Sequence, residues 1–493
     1  MRIRHFKTLF VLCVLLMSCQ SAYCEEIKFP ENFAWGAAVA AYQVEGGNSN
    51  SNWYEFEKIP GKVKDKCGAA CDHFNRYESD FDLASALGVK IFRTSIEWSR
   101  IEPSEGVYDN MAIEHYRRYF TELKKRGLKP MVTLFHFTLP SWIVKKGGWC
   151  SGETIGHYTR FCEKMAFEYG DMIDMWTTHN EPTVYTSAGY LNGMWPPGEK
   201  FNVLKYRVVL GNLVRAHGAA YRAIKASDAR DADGDGVCAS VGIVTNYCPM
   251  MPGDPKNSAN VFISERINYI ANQLVLDALT TGKFDMSKIK GIFDGRSVTL
   301  FPAEPGTLDY IGINYYTRMK INLSITNPLS GMQAGGPASR GVESGAAGPD
   351  QTDMGWEIYP EGLYKVMMAV KQYDLPVFIT ENGIADASGG KRVKFLADHL
   401  IQLKRAVNEG VRVAGYIHWS FMDNFEWAEG FGKRFGLYSV DYATQKRSLT
   451  EGGAFYTEVC RNNGINEAMF KSVYGSKEDK AEKVRAIESL DKK

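Results

Sequence analysis

Two glutamates in this sequence keep similar company. Glu181 closes the run DMWTTHNE (174–181), and Glu381 lies near the end of PVFITEN (376–382). Each follows a short apolar stretch and has an asparagine beside it, Asn180 and Asn382. A lone glutamate at such a place is more often a structural ion-pair partner. Two of them in equivalent positions, with polar residues ending other apolar runs, reverse that reading. Those residues are Arg93, His136, Asn314, Tyr315, Tyr316 and Trp419, with Gln43 shortly after the first run. A carboxyl pair facing across a small cavity can cleave a glycosidic bond. One carboxyl protonates the leaving oxygen and the other attacks the anomeric carbon or activates water.

Such residues need a scaffold that brings strand ends together. Eight short apolar runs occur at FAWGAAV (33–39), VKIFRTSI (89–96), KPMVTLFH (129–136), DMWTTHNE (174–181), SVGIVTN (240–246), LDYIGINYY (308–316), PVFITEN (376–382) and VAGYIHWS (413–420). Amphipathic stretches such as MAIEHYRRYFTELKKRG (111–127) lie between most of them. Buried-strand runs alternating with helices predict a parallel α/β fold. The eight-fold alternation predicts a single (β/α)₈ TIM barrel with long βα loops over residues 25–474. Its C-terminal strand ends would carry the site, with Glu181 on the fourth strand and Glu381 on the seventh. The Gly-, Pro- and Ser-rich segment 327–351 reads as a surface loop between strands six and seven, and 475–493 as a charged C-terminal tail.

The motifs around these residues resemble family 1 glycoside hydrolases, the β-glucosidase family. Thr178-His179-Asn180-Glu181-Pro182 is similar to that family's acid/base motif, and Ile379-Thr380-Glu381-Asn382-Gly383 to its nucleophile motif. FAWGAAVAAYQVEG (33–46), FRTSIEWSRIEP (92–103), TLFHFTLPSW (133–142), GINYYT (312–317), DMGWEIYPEGL (353–363) and HWSFMDNFEWAEGFGKRFGL (418–437) extend the resemblance in order along the chain. It implies a retaining exo-β-glycosidase, a β-glucosidase with β-galactosidase or β-fucosidase activity, working through a covalent glycosyl-enzyme. Glu181 would be the acid/base and Glu381 the nucleophile, oriented by Arg93 and Tyr316. Gln43, His136, Asn180, Asn314, Tyr316, Trp419, Glu426 and Trp427 would hold the terminal sugar, and Trp356 would stack on the leaving group. The implied partners are small β-glycosides or oligosaccharides, with no cofactor. Phe137-Thr138 departs from the Trp-Asp of many members. ANQLVLDALTTGKFD (271–285) and TLFPAEPGT (299–307) differ from the commonest family pattern and bear on the leaving-group side. Glu426 stands where a 6-phospho-glycosidase branch has Ser, and Glu181 where thioglucosidases lack the acid. A transglycosidase using the same intermediate and a non-catalytic glycan-binding protein on this scaffold stay open.

Composition narrows the classes further. A formal net charge of +1 over 493 residues gives no electrostatic footprint for nucleic acid. Arg2, Arg4 and Lys7 precede an apolar run, Leu9 to Met17, that is too short to cross a bilayer. Ala22-Tyr23-Cys24 then offers a cleavage site, so residues 1–24 read as a signal peptide for a secreted or lumenal protein. Leu16-Met17-Ser18-Cys19 approximates a lipobox, and lipoprotein anchoring is the second reading. Seven cysteines would remain: Cys67, Cys71, Cys150, Cys162, Cys238, Cys248 and Cys460. In an oxidising compartment the expected pairs are Cys67–Cys71 and Cys238–Cys248. Asp231-Ala-Asp-Gly-Asp-Gly236 resembles the start of a calcium loop, but its twelfth position is Gly242 rather than Glu. A polar turn before the fifth strand is the simpler reading. Nothing in the sequence sets the oligomeric state.

Overall fold

The computed structural model describes residues 26–289, 304–322 and 350–475. The expected signal segment and charged tail lie outside these residues except at Gly475. So do most of the loop 327–351 and the start of 299–307.

The eight apolar runs are the eight strands of a closed parallel barrel. These are β1 (Ala34–Ala38), β2 (Ile91–Ser95), β3 (Lys129–Phe135) and β4 (Met175–Asn180), then β5 (Ser240–Asn246), β6 (Tyr310–Asn314), β7 (Val377–Asn382) and β8 (Val413–Trp419). Each pairs in parallel with its sequence neighbours, and β8 closes on β1 through Gly415 to Ala34 and Trp419 to Ala38. They read as near-continuous apolar runs because both faces are covered. In β5, the five residues between Ser240 and Asn246 are all buried.

Two cores result. The outer one lies between strands and helices, and the helix after β2 shows why it forms. In Asn110–Lys125, Ala112, Ile113, Tyr116, Tyr119, Phe120 and Leu123 are buried, a stripe of three- and four-residue steps. Asp109 caps the start, its carboxylate accepting from the backbone N–H of Met111 and Ala112 at 2.8 and 3.2 Å. Lys124 and Lys125 sit in the last turn, where cations suit the helix dipole. The inner core fills the barrel with Ile91, Met131, Tyr310 and Ile417, and rises to Trp419 and Trp356. Tyr310 reaches past β5 to Thr177, oxygen to oxygen 2.7 Å, and donates to the Trp176 carbonyl at 3.0 Å. Its ring passes so close to Gly242 that a Cβ there would lie 2.6 Å away, so β5 needs glycine at that point.

The expected disulfides are not formed; all seven cysteines described are free thiols. Cys238 and Cys248 flank opposite ends of β5, roughly 20 Å apart along a seven-residue strand, far beyond disulfide reach. Cys67 and Cys71 are buried and point to different partners, the carbonyls of Tyr42 at 3.2 Å and Asp423 at 3.0 Å. Among the described residues no helix is long and apolar enough to cross a membrane.

Candidate active site

Glu181 is the first residue beyond β4. Its backbone turns into the left-handed region, φ 47° and ψ 59°, before Pro182 opens a short helix, Pro182–Thr186. For a non-glycine residue this conformation costs on the order of 1–3 kcal/mol, and it persists only where the surroundings hold it. Here the Glu181 N–H donates to the Val244 carbonyl at 2.8 Å, tying the turn to β5. The carboxyl Oε1 accepts from Asn314 Nδ2 at 2.7 Å and Asn246 Nδ2 at 3.2 Å. Burial, and then the Glu381 charge, push this carboxyl up to about 7, against the two amide bonds that favour the anion.

Glu381, on β7, is gripped differently. Arg93 Nη1 donates to its Oε1 in a buried ion pair, and Tyr316 Oη donates to its Oε2 at 2.6 Å. The second arm of Arg93 donates to Asn180 Oδ1 at 2.7 Å. Asn180 in turn donates to His136 Nε2 at 3.3 Å. Burial and the nearby Arg93 charge hold His136 well below its ordinary range, so the ring is neutral and Nε2 accepts. Asn314 couples the two halves. It donates to Asn180 as well as to Glu181, while its Oδ1 accepts from Thr380 Oγ1 at 2.7 Å. One glutamate thus faces neutral amides and the other a cation and a phenol.

Both carboxyls line one cavity of about 230 Å³ at the C-terminal mouth of the barrel. Gln43, His136, Asn180, Tyr316, Trp356, Trp419, Glu426 and Trp427 line it with them. Gln43 is oriented by its Nε2, which donates to Asn424 Oδ1 at 3.0 Å and the Phe425 carbonyl at 2.8 Å. Its Oε1 is buried without a protein partner. Burial, then the charges of Glu381, Glu429 and Glu181, push the Glu426 carboxyl up to about 8. The His136 ring lies within 18° of parallel to Trp419 and within 16° to Trp427, giving the pocket flat aromatic walls. Arg93 and Asn314 do not line the cavity; they lie beneath it and hold the residues that do.

Sequence reasoning passed over Asn246, which ends β5 as Asn180 ends β4 and was legible from that position. It also passed over Met194, Trp195, Met250 and Met319, half-buried residues around the cavity that strand-end patterning does not reach. Among the described residues, the one group of acidic side chains close enough to share a metal ion is Asp174, Asp231 and Asp233, at the other end of β4.

The sequence model of glycosyl hydrolase family 1 matches residues 25–465. The chain belongs to that family. This family 1 chain is 34% identical over 465 residues to β-glucosidase A of Acetivibrio thermocellus, covering 89% of this chain and 100% of that protein. It is 31% identical over 507 residues to a β-galactosidase of Pyrococcus woesei, covering 89% and 98%. Among solved structures, a β-glycosidase from Pyrococcus horikoshii superposes with a TM-score of 0.79 at 35% identity, covering 92% of this chain and 99% of that one. The Thermotoga maritima family 1 β-glucosidase in complex with isofagomine lactam gives a TM-score of 0.78 at 32% identity, covering 89% and 100%. As a family 1 glycosidase the chain is an O-glycoside hydrolase that retains anomeric configuration.

Proposed function

We propose that the enzyme removes terminal β-D-glucosyl residues, and β-D-galactosyl and β-D-fucosyl residues as well, with Glu181 as acid/base and Glu381 as nucleophile. The supporting observation is the contrast between two carboxyls in one cavity. Glu181 is held near neutrality at about 7 by burial and by Glu381, whereas Glu381 is bound by Arg93 and Tyr316. Glu381 attacks the anomeric carbon as Glu181 delivers a proton to the departing oxygen. Once Glu381 is esterified its charge no longer opposes ionisation of Glu181, which then takes a proton from the incoming water. The buried Gln43, His136 and Asn180 and the half-buried Glu426 bind the sugar hydroxyls. The half-buried Met194, Trp195, Met250 and Met319 favour an apolar leaving group at the mouth. Hydrolysis of p-nitrophenyl β-D-glucoside followed by NMR is expected to show β-glucose first. An initial α-anomer overturns the proposal.

The acid role makes a pH prediction. Glycosylation needs Glu181 protonated, so kcat/KM is expected to fall about tenfold per pH unit above about 7. Glu426 titrates nearby, up to about 8, so the profile is compared with that of Glu426→Gln. The falling limb should survive that substitution. Its loss would assign the limb to Glu426 instead.

Glu426 also bears on charge selection. A phosphorylated sugar entering this cavity meets Glu181, Glu381 and Glu426 together. Phosphoryl glucosides are expected to turn over at least about tenfold more slowly than their plain counterparts, and increasingly so above pH 8. Equal kcat/KM for a matched 6-phospho pair would contradict this.

A further inference from the structure

At the far end of β4 from Glu181, a buried carboxylate faces a loop of aspartates. Asp174 immediately precedes β4, and Asp231, Asp233 and Asp235 lie in the turn ahead of β5. One carboxylate oxygen from each of Asp174, Asp231 and Asp233 lies within 4.8 Å of the others. Asp174 is only 8% exposed. Its Oδ1 accepts from the Ala232 N–H at 2.9 Å, while Oδ2 is buried with no partner. Leaving a buried charged oxygen unpaired is costly.

The loop is already shaped to present them. Asp231 accepts from the N–H groups of Gly234 at 2.7 Å, Asp235 at 3.2 Å and Gly236 at 2.9 Å. Gly234 and Gly236 take φ of 78° and 88°, which suits glycine. The twelfth residue of this loop, Gly242, lies inside β5 and offers no carboxylate. Asp174, from outside the loop, supplies the buried oxygen that position lacks. Hard oxygen donors converging from several carboxylates suit a calcium-sized divalent cation. We propose that Asp174, Asp231 and Asp233 bind one calcium ion, which ties the turn before β5 to the base of β4. The ion is structural: it sits at the barrel end that governs stability, away from the sugar chemistry. Lys129 Nζ lies 2.6 Å from Asp233 Oδ2 and competes with it, but this lysine is half-exposed.

Calorimetric titration of the full-length, metal-stripped protein with CaCl₂ is expected to show one site. Saturating calcium should raise the unfolding midpoint by about 1–3 °C and leave kcat/KM unchanged. Asp174→Asn keeps an acceptor for Ala232 and should weaken calcium binding about tenfold or more. The exposed Asp233→Asn repeats the test should the first variant fold poorly. Lys129→Gln should tighten binding by about two- to fivefold, which a purely structural role for the loop would not produce. No binding to the wild type up to about 10 mM calcium, or unchanged affinity in the aspartate variants, overturns the proposal.

Discussion

Glu381→Gly is expected to lower kcat on every β-glucoside, on the order of 10⁶-fold, as removal of a nucleophile does elsewhere. No covalent intermediate can form, so the quality of the leaving group should matter little to the loss. The substitution also clears space beside Arg93 Nη1 and Tyr316 Oη, which now bind the two oxygens of the carboxylate. Those donors would receive a small anion such as formate or azide on the face the glutamate occupied. Rescue should follow, and azide should give the α-glycosyl azide, because a single displacement inverts the β-glycoside. A β-azide from this variant would show that the residue is not the nucleophile. Arg93 and Tyr316 stay in place, so a variant that folds but is not rescued also counts against the assignment.

Glu181→Ala should behave in the opposite way. Proton transfer of this kind is worth about 10²–10⁴-fold, and only a poor leaving group needs all of it. Dinitrophenyl glucoside should still glycosylate Glu381 at close to the normal rate, with a burst of phenolate before a slow steady state. Alkyl glucosides should be nearly inert. Azide should speed the slow second step, entering from the face Glu181 held between Asn314 and Asn246, and yield the β-glycosyl azide. The pH limb near 7 should vanish with the carboxyl that produces it. Equal losses on dinitrophenyl and alkyl substrates would remove Glu181 from the acid role.

Much of this protein was legible in one dimension. A strand buried on both faces has to be a short apolar run, and in a closed parallel barrel the last residue of each run points to one mouth. Local pattern therefore located β1 to β8, and the strand-end position drew attention to Asn180, Glu181, Asn314 and Glu381 together, whereas Arg93, read as ending its run, is the central residue of β2. The family motifs around Glu181 and Glu381 lie within single runs, so they too survive in the sequence alone.

What the chain could not show in one dimension is which side chain meets which. Arg93 reaches Glu381 across 288 positions, and Asn246 reaches Glu181 across 65. Barrel closure, not spacing, makes those pairs. Only the folded chain put Asn314 beneath the cavity as a bridge from Glu181 to Asn180, and half-buried methionines around its mouth. It set Cys238 and Cys248 at opposite ends of a strand, although ten positions separate them. It also brought Asp174 to a loop that by itself looked like an incomplete cation site. Hydrophobic period is a property of neighbours along the chain. The contacts that set charge, orientation and ion binding here join residues that are neighbours only after the barrel has closed.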